Sequence, residues 1–242
     1  MPNFISEDQI EQALVQKLQH LHGFDTLDCY TESAEDLNDG SNRASKRDVI
    51  LIDRLREAAL RLNPDIPRAA IESALEKLCE RRQAMTLIAA NQEIYGLLRD
   101  GIAVTFDNAQ GQSQQERVRL LDFNVPDNNR FLAVTQLWIK GERGFRRPDV
   151  LLYVNGIPLV FIELKNSNVR LRNAYDDNLT NYKAEIPQLF LTNAFCVLSN
   201  AVETNAALLR EPYIQSPSSS RISNLPPIRF QVCAQRSLPL RV

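Results

Sequence analysis

Apolar residues recur at helical spacing through the first hundred positions of the chain. The first predicted helix covers residues 7–22, where Ser6 and Gln9 form a capping box and Gly23 provides the stop. Its apolar stripe consists of Ile10, Leu14, Val15, Leu18 and Leu21. A polar, acidic stretch over 25–45 has room for a short strand. The helical spacing then predicts helices over 46–61, from about residue 67, and in a shorter piece ending near residue 98.

Strand-like patterns replace the helical ones after residue 100. Candidate strands occupy residues 102–107, 116–123, 131–139, 149–154, 159–165 and 195–198, and a helix is predicted over 173–184. This order of elements predicts an α/β fold with a mixed, mainly antiparallel central sheet flanked by helices. We expect one domain over residues 1–200 with a helical insertion at about 46–100, followed by a low-order Ser/Pro-rich tail over 201–242.

Two neighbouring strands carry charged residues at their ends. Asp149 follows a proline at the head of one strand, and the next strand ends in Glu163-Leu164-Lys165. Two carboxylates at one sheet edge can hold Mg²⁺, which prefers oxygen ligands and uses one or two carboxylates with water and substrate phosphate. Lys165 is placed to orient or activate a water and to neutralise a phosphate. The alternative is a buried strand pair with an Asp–Lys or Glu–Lys salt bridge at its rim.

The connection between these strands decides whether the two acids share a face. An Asn-Gly pair at 155–156 is a hairpin signal, and side chains alternate along each strand. A two-residue loop would set Asp149 opposite Ile162, on the wrong face. A three-residue loop with its glycine left-handed sets Asp149 opposite Phe161 and diagonal to Glu163. We therefore expect an odd-length or bulged turn.

The segment over residues 147–166, RPDVLLYVNGIPLVFIELKN, is specific in sequence as well as in pattern. It carries the signature of the PD-(D/E)-x-K nucleases, and it resembles the nuclease segment of the restriction (R) subunit of type I restriction enzymes. Supporting similarity covers about residues 6–200. The resemblance implies a restriction-endonuclease-like core and a Mg²⁺-dependent endonuclease at the front of a longer chain. In such a chain an ATP-driven motor follows, and the partners are double-stranded DNA and the methylation (M) and specificity (S) subunits.

The resemblance also implies roles for individual residues. Asp149 and Glu163 match the metal ligands, and Lys165 matches the catalytic lysine. A Gln-x-x-x-Tyr motif of related nucleases falls on Asn178 and Tyr182, where asparagine replaces glutamine with a shorter amide that has the same donors and acceptors. Tyr182 is therefore a candidate site residue, and the role of Asn178 stays open.

Glu11 is a further acidic candidate. At about 100° per residue it falls within the apolar stripe of the first helix rather than opposite it. A carboxylate on a core-facing arc needs a partner such as a metal or a cation. In the resembling family a Glu on this helix approaches the metal site, so Glu11 is a candidate metal ligand. The alternative is a Glu at the edge of the stripe that reaches solvent.

Composition and charge limit the partners of the chain. The net charge is −2 and the pI is about 5.8, which counts against tight, autonomous DNA binding through charge alone. Local cations flank the hairpin and can follow backbone phosphates, and the alternative is a solvated charged loop. These candidate phosphate contacts are Arg143, Arg146, Arg147 and Arg170.

Several sequence features bear on the cellular setting. The four cysteines lack the spacing of a zinc site or a disulfide framework, so we expect a cytoplasmic protein with reduced thiols. We find no signal peptide and no membrane-length apolar run. No Gly-x-x-x-x-Gly-Lys-Ser/Thr motif occurs, so the motor is not in this chain. We expect a truncated or frameshifted R subunit in which residues after about 200 are not native sequence.

Two other functions fit the same residues. One is a different Mg²⁺-dependent nuclease of the superfamily, acting in repair or in defence against mobile elements. The other is an inactive fragment that binds DNA or a protein partner. The presence of Asp149, Glu163 and Lys165 argues against a decayed site, and the missing motor argues against restriction by this chain alone.

Overall fold

The computed structural model describes residues 5–108, 110–168 and 179–208, which form helices and strands in a mixed order. The helices are α1 (Glu7–His22), α2 (Ile52–Leu62), α3 (Arg68–Cys79), α4 (Leu87–Asp100) and α5 (Thr180–Glu185), with 3₁₀ turns at Pro126–Asn128 and Pro187–Leu191. The strands are β1 (Asp25–Asp28), β2 (Ile102–Asp107), β3 (Ser113–Val118), β4 (Phe131–Thr135), β5 (Ile139–Lys140), β6 (Phe145–Arg146), β7 (Val150–Val154), β8 (Ile157–Leu164), β9 (Phe195–Ser199) and β10 (Thr204–Leu208).

Six strands form the central sheet in the order β1-β4-β7-β8-β9-β10. The pairs β4–β7, β7–β8 and β9–β10 are antiparallel, and the pairs β1–β4 and β8–β9 are parallel. The expected α/β fold with a mixed, mainly antiparallel sheet is therefore confirmed. β2–β3 and β5–β6 form separate two-stranded hairpins.

Helical segments cover both faces of the central sheet. On one face α1 contributes Ile10 and Leu18 to a cluster with Val150, Val160 and Ile162. On the other face the segment around α5 and the following 3₁₀ turn packs on the alternate residues of the same strands, Leu151, Tyr153 and Phe161. Helices α2–α4 and the β2–β3 hairpin build a separate core beside the sheet. Burial on both faces explains why β7 and β8 are almost continuously apolar.

The first helix follows its sequence signals closely. Ser6 and Gln9 form the predicted capping box, and Gly23 ends the helix in the left-handed conformation. The predicted stripe is too wide at its C-terminal end, because Leu21 is 71% exposed. The buried residues of the helix are Ile10 and Leu18.

The second helix begins later than the sequence predicted. Residues 46–51 are not helical, and α2 starts at Ile52. The N–H of Leu51 instead donates to the carbonyl oxygen of Gly156 over 2.9 Å, and a Cβ atom at Gly156 would lie only 2.5 Å from the carbonyl oxygen of Leu51. The chain before α2 thus holds the turn of the β7–β8 hairpin against the helical insertion.

Two strand predictions need correction, and two strands, β6 and β10, were missed. Gln136 adopts a φ of 56° and interrupts the strand predicted over 131–139, so that β4 ends at Thr135 and β5 pairs with β6. The strand predicted over 116–123 lies instead at Ser113–Val118. β10 was not predicted, and it pairs with β9 beyond residue 200, where the sequence suggested that the tail begins.

The helix predicted over 173–184 lies partly outside the described residues. Its described part is α5, which ends one residue later than predicted, at Glu185. None of the described helices is long and apolar enough to cross a membrane.

Candidate active site

The β7–β8 hairpin sets the relative position of the two acids. Its turn has two residues, Asn155 with a φ of 51° and Gly156 with a φ of 83°, so a three-residue loop is wrong. An irregularity lies further along the pair, where the register shifts by one and β8 carries an extra residue, Leu159. The bulge is therefore in the strand rather than in the turn itself.

This bulge places both acids on one face of the sheet. Val150 pairs with Ile162, so the preceding Asp149 stands beside Glu163 rather than opposite Phe161. The Oδ2 atom of Asp149 accepts a hydrogen bond of 2.6 Å from the backbone N–H of Leu164, which fixes the carboxylate at the end of the pair. The expected sharing of a face is obtained by a register different from the one predicted.

Glu163 and Lys165 lie at the end of β8, on the face that Phe161 shares. Glu163 is 4% exposed, and its Oε1 atom accepts from the Nζ atom of Lys165 over 2.7 Å. The backbone N–H of Lys165 donates to the carbonyl oxygen of Ser199 in β9. The salt bridge considered in the sequence is thus present, and it lies next to a second carboxylate.

Burial and the neighbouring acid disfavour negative charge on the carboxylates at this edge of the sheet. Burial, followed by the charge of Asp149, raises the pKa of Glu163 to about 7. Burial also raises the pKa of Asp149, against the hydrogen bond from Leu164 and the charge of Lys165. Burial opposes the charge of Lys165, but Glu163 and Asp149 together raise the pKa of the amine. An added cation would stabilise both carboxylates in their charged forms.

Tyr182 brings α5 to the two acids. Its hydroxyl donates to the carbonyl oxygen of Arg147 over 3.2 Å and also hydrogen-bonds Glu163. Its ring stands edge-on to Phe161 with centroids 5.0 Å apart. Burial, then the charges of Glu163 and Asp149, raises the pKa of Tyr182 above its usual value, so the hydroxyl stays protonated and able to donate.

Glu11 approaches the same edge from α1. Its Oε2 atom accepts a 2.6 Å hydrogen bond from the side-chain amide of Gln136, whose backbone N–H donates to the carbonyl oxygen of Asp149. Burial raises the pKa of Glu11 to about 7, and the charges of Asp149 and Asp28 add to that effect. The partner of Glu11 in the structure is therefore an amide, within electrostatic reach of the acids.

The residues present fit a divalent cation held by two carboxylates. Mg²⁺ needs only one or two carboxylates when water and phosphate complete its shell, and Asp149 and Glu163 supply that donor set. Within the described ranges, no group of three or more His, Cys, Asp or Glu side chains is arranged to hold a metal ion. Asp149 and Glu163 are thus the better supported ligands, and Glu11 as a third ligand stays a prediction.

The candidate phosphate contacts have different environments. Arg146 is paired with both carboxylate oxygens of Glu185, which holds the β5–β6 hairpin to α5. Arg143 is exposed, and the Cζ atom of Arg147 lies over two aromatic rings. Arg170 falls outside the described residues, as does Asn178.

Several residues around the site were missed in the sequence. Glu7 accepts from the backbone N–H of Asn166 over 3.1 Å, a contact between residues 159 positions apart that no local pattern predicts. Gln136 joins Glu11 to the segment of Asp149, and its left-handed backbone has no signal in the residue type. Gln136 directly follows β4, and the parallel pairing of β4 with β1 was not predicted from the sequence.

Comparison with known proteins identifies the family of this chain. The family model described as the type I restriction enzyme R protein N terminus matches residues 4–210. The chain therefore belongs to the family of type I restriction enzyme R protein N-terminal domains. Relatives that are named as endonuclease subunits of type I restriction enzymes support the membership of this chain in a nuclease family.

Two relatives show how the chain compares with full-length proteins. The type I restriction enzyme HindI endonuclease subunit of Haemophilus influenzae is 37% identical over 205 residues, which are 82% of this chain and 19% of that protein. The provisionally named type I restriction enzyme MjaIXP endonuclease subunit of Methanocaldococcus jannaschii is 31% identical over 208 residues, 83% of this chain and 19% of that protein. The chain thus spans about a fifth of the length of these relatives.

Proposed function

We propose that this chain is the Mg²⁺-dependent endonuclease domain of a type I restriction R subunit and hydrolyses phosphodiester bonds of unmodified double-stranded DNA. The observation that carries the proposal is the edge of the β7–β8 hairpin, where the bulge sets Asp149, Glu163 and Lys165 together. Membership of the R-protein N-terminal family supports it.

Asp149 and Glu163 would hold the Mg²⁺ ion, with Glu11 as a third candidate ligand. When bound, the ion makes a water more acidic and stabilises the charge that develops on the scissile phosphate. The N–H of Leu164 holds the carboxylate of Asp149, and Tyr182 holds that of Glu163, so neither needs to reorganise.

Lys165 supplies a positive charge beside the phosphate. Its ammonium group is paired with Glu163, and the nearby acids raise its pKa, so it is protonated at neutral pH. In this state Lys165 orients the attacking water and neutralises a phosphate oxygen. We assign Arg143, Arg146, Arg147 and Arg170 to neighbouring backbone phosphates, where each contact would add to salt-sensitive affinity.

The setting of this activity follows from the length of the relatives. Because the chain spans about a fifth of them, an ATP-driven motor and docking to the M and S subunits belong to a full-length protein. We propose that the complete assembly works in the cytoplasm, where Cys29, Cys79 and Cys196, which are free thiols in the structure, stay reduced.

Nicking of supercoiled plasmid tests the proposal directly. In Mg²⁺ or Mn²⁺ we expect nicking by the wild type and a loss of about a hundredfold or more in Asp149→Ala and in Glu163→Ala, since a metal site contributes several kcal/mol. Glu57→Ala, which removes an exposed carboxylate from α2, is the matched control and should cut like the wild type.

The outcomes separate a nuclease that uses these two acids from an inactive fragment. Equal nicking by all variants would show that the activity comes from elsewhere and would sink the assignment. A folded protein that shows no nicking would favour the inactive binding fragment.

A further inference from the structure

Two aromatic rings enclose Arg147 beside the candidate active site. The Cζ atom of Arg147 lies 4.8 Å from the ring centroid of Trp138 and 5.5 Å from that of Tyr30. The ring of Trp138 also meets that of Phe145 edge-on, with centroids 6.4 Å apart. Tyr30, Arg147 and Trp138 together are called the aromatic platform below.

Hydrogen bonds fix two residues of the aromatic platform, and the ring of one of them is exposed to solvent. The indole N–H of Trp138 donates to the carbonyl oxygen of Thr31, and the backbone N–H of Tyr30 donates to the side chain of Asp28 at the end of β1. Tyr30 is nevertheless 58% exposed. An exposed ring on a fixed backbone can receive a flat partner at little cost in conformational entropy.

Arg147 forms no salt bridge with any of the described acids. Its neighbours Arg146 and Lys140 face Glu185 and Glu35. For Arg147, in contrast, no carboxylate oxygen lies within 4.0 Å among the described residues. A guanidinium group stacked between rings keeps its N–H donors in its own plane, so they stay available at the edge.

The position of Arg147 ties the platform to the acids. Arg147 lies two residues before Asp149, and its carbonyl oxygen accepts a hydrogen bond from Tyr182. The positive charge of Arg147 lowers the pKa of Asp149, against the larger effect of burial, which raises it. A nucleic-acid strand bound at the platform would therefore lie beside the candidate active site. This step rests on the proposed function.

We propose that the aromatic platform binds an unpaired base of the DNA strand, with Tyr30 stacked on the base and Arg147 paired with an adjacent phosphate. A duplex buries the faces of its bases, so an exposed ring next to a guanidinium group that has no salt bridge among the described residues fits an unstacked nucleotide. Every base has a π face, so the contact tolerates any sequence.

Fluorescence of the chain reports on this surface directly. Trp138 is the single tryptophan among the 242 residues, so quenching comes from the platform. The probe is a single-stranded oligonucleotide of about 20 nucleotides, longer than the site sizes of known single-strand binding folds. The full chain is titrated in EDTA, where no cleavage occurs. We expect saturable quenching by this probe and weaker quenching by a blunt duplex of the same sequence.

An abasic oligonucleotide of equal length separates base stacking from phosphate binding. It keeps the phosphates that Arg147 would contact but offers no ring to Tyr30. Loss of the quenching supports the proposal. Equal quenching by the abasic strand, or by the blunt duplex, overturns it.

Variants of Tyr30 test the stacking partner. Tyr30→Ala should weaken binding of the single strand about fivefold or more, the effect of losing one base–aromatic stack, whereas Tyr30→Phe should bind like the wild type. The matched control is Tyr95→Ala on α4. Tyr95 is also exposed and also lies under an arginine, Arg99 at 5.6 Å, but that arginine is paired with Asp100.

Two outcomes would overturn the proposal: equal affinity of wild type and Tyr30→Ala, or equal weakening by Tyr95→Ala. The exposed position of Tyr30 means that its loss leaves no buried cavity, so the variant stays folded. Failure of plasmid nicking with quenching intact would refute the proposed function and leave the platform standing. Nicking without base-dependent quenching would refute the platform alone.

Discussion

Two buried carboxylates of this protein meet opposite electrostatic environments. Asp39 lies in a loop after β1, where Arg43 and Lys46 contact its Oδ2 atom at 2.8 and 2.7 Å and Ser41 donates to its other oxygen. Although burial opposes its charge, hydrogen bonds from Lys46, Ser41 and Arg43 lower the pKa of Asp39 to about 2. Glu163 faces one ammonium group, one hydroxyl and a second carboxylate, and its pKa rises to about 7.

This difference separates a structural ion cluster from a candidate ligand site. The charge of Asp39 is balanced within the protein, so a further cation has nothing to gain there. The pair Asp149 and Glu163 carries more negative charge than Lys165 balances, and a divalent cation would relieve that repulsion. Burial alone therefore does not single out a candidate functional acid, whereas burial next to a like charge does.

The largest expected effect is the loss of stability when Asp39 is neutralised. Asp39→Asn leaves the buried cations Arg43 and Lys46 without their carboxylate, which should lower the free energy of unfolding by about 3–5 kcal/mol. Urea denaturation at pH 7 measures it. Asp53→Asn, which breaks an exposed pair with Arg56, is the control and should cost about 0.5 kcal/mol or less. Equal losses in both variants would contradict the contrast drawn here.

The two acids should respond to pH in opposite directions. The pKa of Asp39 is lowered from 3.8 to about 2, so its stabilising contribution is present above pH 3.8 and is lost as the pH falls through 2. The pKa of Glu163 is raised from 4.5 to about 7, so its contribution is present below pH 4.5 and is lost as the pH rises through 7.

Unfolding measured in EDTA between pH 2 and pH 8 checks these signs. On acidification below pH 4, the stability advantage of the wild type over Asp39→Asn should shrink by about 2 kcal/mol, at about 1.4 kcal/mol for each pKa unit. Glu163→Gln should gain on the wild type as the pH rises from 4.5 to 7. Parallel stability curves for the wild type and either variant would show that the group in question does not titrate as its environment indicates.

The smallest expected effect is stabilisation by Mg²⁺. At a concentration ten times the dissociation constant, an ion that binds only the folded chain adds about 1.4 kcal/mol to the free energy of unfolding. Thermal unfolding with Mg²⁺ and with EDTA should show this shift for the wild type and for Glu57→Ala. Glu163→Gln should not respond, because it removes one of two charged ligands. A full response in Glu163→Gln would place the ion elsewhere.

Local signals predicted the fold where the structure is decided locally. The caps at Ser6 and Gly23 set the limits of α1, and Asn63 ends α2, because each acts within a few residues. The split after β4 was not predictable, since the left-handed backbone of Gln136 belongs to a residue type that gives no hint of it. β10 was also missed, because its pairing with β9 is a property of the sheet rather than of its own sequence.

The candidate site was predicted in part for the same reason. Asp149, Glu163 and Lys165 belong to one hairpin, so strand alternation brought them close to the right arrangement. The sequence prediction placed the irregularity in the turn, whereas the structure has the bulge at Leu159. The side chain of Leu159 gives no sign that this residue has no partner in the register of β7 and β8. Tyr30 and Trp138 lie about a hundred positions apart, and no periodicity within either segment could join them.

The contact between Gly156 and Leu51 has a consequence for the order in which the protein folds. The hairpin joins residues that are close in sequence, so its ends meet quickly and at a small loss of chain entropy. The turn at Gly156 reaches the chain before α2 only by closing a loop of about a hundred residues, a slower event. We therefore expect the two acids to become neighbours early in folding. The helical insertion should pack against the hairpin later and stabilise that arrangement.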